Sequence, residues 1–86
     1  IIGPDVRIVS ENHIFDDLNI PIKDQGESRK GVRIGKNCWI GASSTILDGV
    51  ELGEGCVVAA GSVITKSFPA NSIIAGIPGK IIKSRI

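Results

Sequence analysis

Large rings are almost missing from this 86-residue chain: aromatic residues make up 3% of it, with two Phe, one Trp and no Tyr, and there is no Met. That excludes a core of stacked rings. A domain of this size buries only about 60% of its unfolded surface, so stability has to come from aliphatic packing, repetition or partners. Charge of one sign is lacking too. Ten basic and nine acidic residues leave a formal net charge of +1, which offers no global field to nucleic acid or an anionic membrane, so any anion site is local. Aromatics interleaved with basic residues, which would stack on bases, are also absent. No apolar run approaches the roughly 20 residues of a membrane span, and no basic, apolar and cleavable leader opens the chain, so the expected compartment is the cytoplasm. Cys38 and Cys56 are too few for the disulfide framework of a small secreted domain. The start at Ile1-Ile2-Gly3, without Met, predicts a piece of a longer protein.

What the chain does have is a period. Aliphatic residues stand at every sixth position, at Ile34, Ile40, Ile46, Leu52, Val58 and Ile64, and in four of the six cases the next residue is Gly or Ala. Two positions before each comes a small or β-branched residue: Val32, Cys38, Ser44, Val50, Cys56 and Ser62. A period of six fits neither a 3.6-residue helix nor a flat alternating strand. Laying 32–49 on 50–67 gives six identities, so the unit is a triplet of hexapeptides. Each hexapeptide is a short strand plus a corner, three close a triangular coil, and coils stack about 4.8 Å apart with the aliphatics as interior ladders. The glycines are expected at corners, where unusual dihedrals cost them little.

The opening, Ile2-Gly3-Pro4-Asp5-Val6-Arg7-Ile8, matches Ile34-Gly35-Lys36-Asn37-Cys38-Trp39-Ile40 at an offset of 32. This predicts about fourteen residues looped out after His13, over about 15–28, in a stretch rich in charge. Long loops leaving a rigid scaffold are often functional. After Ile64 the period stops, Phe68-Pro69 predicts a corner turning away, and 68–86 is expected to cap the open end, as solenoids require. The whole chain, 1–86, is thus one all-β domain with full coils at 32–49 and 50–67.

The hexapeptide array, the insertion after His13, and Val63-Ile64-Thr65-Lys66 followed by Ala75-Gly76-Ile77-Pro78 occur together in this order. In this combination the chain resembles the hexapeptide-repeat O-acetyltransferases, within them the galactoside and maltose acetyltransferase branch. The resemblance implies a left-handed parallel β-helix and a homotrimer with sites between subunits. It also implies acetyl-CoA as co-substrate, without a metal, and transfer of the acetyl group to a hydroxyl of a sugar or polysaccharide precursor. Position by position, His13 matches the family's general base and Asn12 falls in the acceptor pocket. Ala42, Ala60, Thr65 and Lys66 match the CoA side, and Lys80 and Lys83 stand where Arg often binds its phosphates. Lys in place of Arg keeps the charge and loses the bidentate grip.

The residues support these roles unequally. Direct acetyl transfer needs a base titrating near neutrality, and His13 is the only imidazole in the chain. Glu11, Asp16 and Asp17 are the carboxylates near enough in sequence to orient it. Small side chains at Ala42 and Ala60 would let corner amides and carbonyls bind the peptide-like pantetheine arm, and amides near Ala42 or Ser43 are expected to hold the oxyanion. Lys66, Lys80, Lys83 and Arg85 make the one basic concentration, suited to phosphates or to a solubilising tail. Trp39 should face outward, towards a subunit or the CoA groove. Cys38 and Cys56 should be interior, stacked in parallel and poorly aimed for a disulfide. One His cannot supply the three ligands of the zinc enzymes built on such solenoids, and two threonines cannot make an ice-binding face. A non-catalytic structural or binding solenoid, which would not need His13, remains the alternative.

Overall fold

The computed structural model describes residues 1–9, 12–13, 18–25, 27–28 and 30–86, with the backbone alone at 12, 13, 22, 25, 27 and 28. In chain order the strands are β1 (Arg7–Ile8), β2 (Asn12–His13), β3 (Glu27–Ser28), β4 (Arg33–Ile34), β5 (Trp39–Ile40), β6 (Thr45–Ile46), β7 (Glu51–Leu52), β8 (Val57–Val58), β9 (Val63–Ile64), β10 (Ser72–Gly76) and β11 (Gly79–Ser84). One helical turn, α1 (Ile22–Gln25), lies between β2 and β3. Strands of two residues are what a six-residue period allows once each side of the coil also has to turn a corner.

The strands stack into three faces. β1, β6 and β9 form one, β4 and β7 the second, and β5, β8 and β10 the third, which β11 extends. Arg33 lies beside Glu51, Trp39 beside Val57 and Thr45 beside Val63, all parallel, so successive coils are eighteen residues apart. The fold is the left-handed parallel β-helix expected from the repeat. Longer parallel strands almost always connect in the opposite hand because of their twist, but two-residue strands carry little twist to enforce it.

The interior holds the ladder residues in sequence order. Ile40, Ile46, Ile64 and Ile74 are fully buried, each contributing about 1.5–3 kcal/mol by removal from water. Cys38, Ser44, Val50, Cys56 and Ser62 fill the smaller positions between them. The buried serines are satisfied by corner carbonyls: the Ser44 and Ser62 hydroxyls both donate to the Ala59 carbonyl, at 3.1 and 2.7 Å. Most coil-to-coil bonds are backbone to backbone, as in Trp39 N–H to Cys56 O at 2.9 Å and Gly41 N–H to Val58 O at 2.8 Å.

Glycine serves two separate needs, and this corrects the sequence expectation. Positive φ occurs at Asn37, Ser43, Gly49, Gly55 and Gly61, a six-residue series in which Asn and Ser substitute for Gly. The glycines that follow the ladder aliphatics are not in that series. They are needed for space: a Cβ on Gly41 would lie 2.5 Å from the Ala60 nitrogen and 2.8 Å from the Val58 oxygen, and one on Gly35 would lie 2.7 Å from the Glu54 nitrogen. The coil above rests directly on these residues.

Two further readings change. Arg7 lies beside Thr45 and Ile8 beside Ile46, an offset of 38 rather than 32, so twenty residues depart from the coil path instead of fourteen. The error is one hexapeptide, because every hexapeptide has the same pattern. The excursion follows Val9, whose N–H still bonds the Ile46 carbonyl at 2.8 Å, and β2 and β3 pair antiparallel within it, so Asn12 and His13 lie in its stem. Phe68 does not turn away. It is buried, bridges Leu52 in parallel and continues the ladder, with Ile74 next above Val58. Both steps span sixteen residues, so the last coil is two residues short at the 65–67 corner. Beyond it β11 folds back antiparallel on β10, and Gly79 packs over Ile64 and Ile74 as the cap. At the other end the ladder residues Ile2 and Ile8 are 58% and 47% exposed.

The two glycine classes should respond differently to a methyl group. Gly41→Ala, which forces backbone apart, is expected to cost about 3 kcal/mol or more. Gly61→Ala, with φ of 72° but nothing within 4 Å, should cost about 1–2 kcal/mol. Urea unfolding of both variants checks this, and a larger loss at Gly61 would contradict the spatial role of Gly41.

Candidate active site

Three corners run along the prism. The first, joining the β5–β8–β10 face to the β1–β6–β9 face, contains Pro4, Ala42 and Ala60. Against it lies an apolar groove lined by Gly3, Pro4, Trp39, Gly41, Ala42, Val57, Val58, Ala59 and Ala60. Trp39 is 57% exposed, as expected, and forms one wall. Gly41 and Ala59 make the floor open because neither carries a side chain beyond a methyl.

The same outer face continues to the cap. Since Ile74 points inward, Ile73 and Ala75 point outward, and their β11 partners Lys83 and Lys80 point outward with them. Trp39, Val57, Ile73 and Lys83 therefore form one row across four strands. Lys80, opposite Ala75, ends the neighbouring row on the side nearer the first corner. An apolar groove with lysines at one end is thus built from residues that the sequence places up to eighty positions apart.

Thr65 and Lys66 are elsewhere. They occupy the second corner, between the β1–β6–β9 and β4–β7 faces, where both are exposed. The Lys66 ammonium lies 5.6 Å from the centre of the Phe68 ring, a cation–π contact. The excursion bearing Asn12 and His13 leaves and returns at this second corner. The side chains of Asn12 and His13 lie outside the described part of the molecule, as do Glu11, Asp16 and Asp17. The β2–β3 ladder sets His13 opposite Glu27 and Asn12 opposite Ser28.

Arg85 is at the third corner, where its guanidinium donates to the Gly55 carbonyl at 2.8 Å. The four cations taken as one concentration are therefore divided among the second corner, the third corner and the cap. The Ser43 amide donates to the Pro4 carbonyl at 2.9 Å, so it is engaged in the coil ladder and is not a free oxyanion donor. The Ala42 carbonyl accepts the Gly61 amide at 2.9 Å.

Both cysteines are buried and free. The Cys38 thiol donates to the Gly53 carbonyl at 3.2 Å and the Cys56 thiol to the Pro69 carbonyl at 3.1 Å. Burial pushes the Cys56 thiol above its ordinary value of 9.0, against the lowering effect of backbone hydrogen bonding at Ser72. Neither is placed to act as a nucleophile. Among the described residues no group of three or more His, Cys, Asp or Glu side chains is placed to hold a metal ion, and no helix is long and apolar enough to cross a membrane.

With this geometry in hand, comparison with known proteins is specific. Residues 31–66 match the family model described as the hexapeptide repeat of succinyl-transferase. A Dictyostelium discoideum protein assigned to the acetyltransferases is 46% identical over 84 residues, covering 96% of this chain and 43% of its own length. A maltose O-acetyltransferase from Clostridium difficile superposes with a TM-score of 0.85 at 35% identity, over 96% of this chain and 43% of that one. A galactoside acetyltransferase in complex with coenzyme A superposes with a TM-score of 0.83 at 32% identity, over 95% of this chain and 40% of that one. The chain is thus similar, over nearly its whole length, to members of the hexapeptide-repeat acetyltransferase family. Within that family it is similar to the galactoside and maltose O-acetyltransferases. It spans 25% and 43% of the length of the first two curated relatives it matches.

The raised Cys56 value has a pH consequence. The fold favours the neutral thiol, so this contribution to stability is complete below the unfolded value and is lost as pH rises through the higher folded one. Urea midpoints of the parent should therefore decline above about pH 9 more steeply than those of Cys56→Ala. Parallel curves would rule the thiol out as a contributor.

Proposed function

We propose that this chain is the coil portion of an acetyl-CoA-dependent O-acetyltransferase that modifies a sugar hydroxyl and works as a homotrimer. The observation that carries the reading is the groove at Trp39, Ala42 and Ala60, continuous along one outer face with Lys80 and Lys83. Its apolar, small-residue floor suits the pantetheine arm, and its lysines suit the phosphates of acetyl-CoA. The coenzyme A held by the galactoside acetyltransferase neighbour supports this, and the maltose and galactoside specificities in the neighbours' names support a sugar acceptor.

In this reading His13 takes the proton of the acceptor hydroxyl. The oxygen attacks the thioester carbonyl, the resulting tetrahedral oxyanion collapses, and the C–S bond breaks to release CoA as its thiol after protonation. Asn12 contributes to the acceptor pocket. Thr65 and Lys66 stand at the corner that bears His13, whereas Ala42, Ala60, Lys80 and Lys83 stand at the first corner and its face. A site between neighbouring β-helices would unite the two sets, which is why a trimer is proposed.

Release of CoA from acetyl-CoA with a panel of mono- and disaccharides tests the proposal. His13→Ala should lower acceptor-dependent release by about 100-fold or more with CoA binding retained. Lys80→Ala should raise the acetyl-CoA KM about tenfold and should matter less when CoA lacks its 3′-phosphate. Equal rates in parent and His13→Ala would remove His13 from the chemistry. No CoA binding by a folded trimer would leave the structural solenoid as the reading.

A further inference from the structure

The excursion has two feet at the second corner, and one side chain holds the returning one. Asp48 Oδ1 accepts the Lys30 and Gly31 amides at 2.9 and 2.7 Å, and Oδ2 accepts Lys30 again at 3.0 Å. The neighbouring Gly49 amide then donates to the Gly31 carbonyl at 2.8 Å. Most coil rungs are main chain on main chain, with the Ser67 and Ser62 hydroxyls accepting the Glu51 and Gly76 amides as exceptions. Here the chain below is just returning to the coil, and a carboxylate from the coil above accepts its first two amides.

We propose that Asp48 is a positioning residue for the acceptor side of the site. It grips the returning foot at Lys30–Gly31, immediately beyond the β2–β3 stem, and so fixes the direction in which the stem presents Asn12 and His13. Bonds from two amides to one charged group are shorter and about twice as strong as neutral ones, and two anchored amides in succession constrain rotation as well as distance. The repeat itself does not ask for a carboxylate here. Eighteen residues later, where no excursion is attached, the equivalent residue is Lys66, which turns onto Phe68. Asp48 touches no part of the groove, so its effect on catalysis has to pass through the stem. The inference rests on the function proposed above for His13, and its test separates the two.

The test uses the full chain with Asp48→Ala and the milder Asp48→Asn, which keeps one side-chain oxygen. Hydrogen exchange needs no acceptor: in Asp48→Ala, protection at 27–31 should fall at least tenfold, while Gly41 and Thr45 in the coil keep theirs. In the transferase assay kcat should fall at least tenfold with the acetyl-CoA KM within twofold of the parent, and Asp48→Asn should lie between. Ser67→Ala, which removes the acceptor of the Glu51 amide (2.8 Å) one coil up at the same corner, should lose stability without losing kcat. Unchanged exchange at 27–31 in both Asp48 variants would overturn the grip. An acetyl-CoA KM that rises in step with the loss of kcat, or an equal kcat loss in Ser67→Ala, would show general destabilisation and overturn the positioning role. If the parent itself transfers nothing, the proposed function fails and takes the positioning role with it, while exchange alone still decides the grip.

Discussion

Each coil rests on the one below at the distance of a backbone hydrogen bond, and this close approach governs the rest of the molecule. It leaves no space for a Cβ where Gly35, Gly41 and Gly53 meet the next corner. The same spacing leaves no space for stacked rings inside, so aliphatics, thiols and small hydroxyls fill the interior. A repeated contact demands a repeated residue, and the six-residue period is the record of that demand.

Function enters where the repetition is interrupted. The excursion inserts twenty residues at the second corner and puts a segment with the only histidine there, while Asp48 holds its returning foot. At the other end a corner two residues short draws Phe68 into the interior and brings β10 and then β11 onto the outer face that carries Trp39. The lysines of the cap come to the end of an apolar groove by this route. A continuous repeat would have offered uniform faces and no such end.

Much of this was legible because solenoid contacts are local in pattern even when distant in number. The identities between 32–49 and 50–67 gave the coil length, and the inward positions of Cys38, Cys56 and the ladder aliphatics followed. The first coil was misplaced by one hexapeptide because equivalent hexapeptides cannot be told apart by their residues; only hydrogen-bond register distinguishes an offset of 38 from one of 32. The role of Asp48 was invisible for a related reason. An Asp-Gly pair at a corner is ordinary turn chemistry until the chain beneath it is seen to be returning from the excursion.

The sequence by itself determined the class of fold and the interior, since a strict period fixes which side chain faces inward whatever the neighbouring coils do. Tertiary structure decided which corner each candidate residue occupies. It separated Thr65 and Lys66 from Ala42 and Ala60, drew Arg85 away to the Gly55 carbonyl, and aligned Trp39 with Lys83. Position around a triangular prism depends on the residues accumulated modulo one coil, and every insertion or shortened corner resets that count.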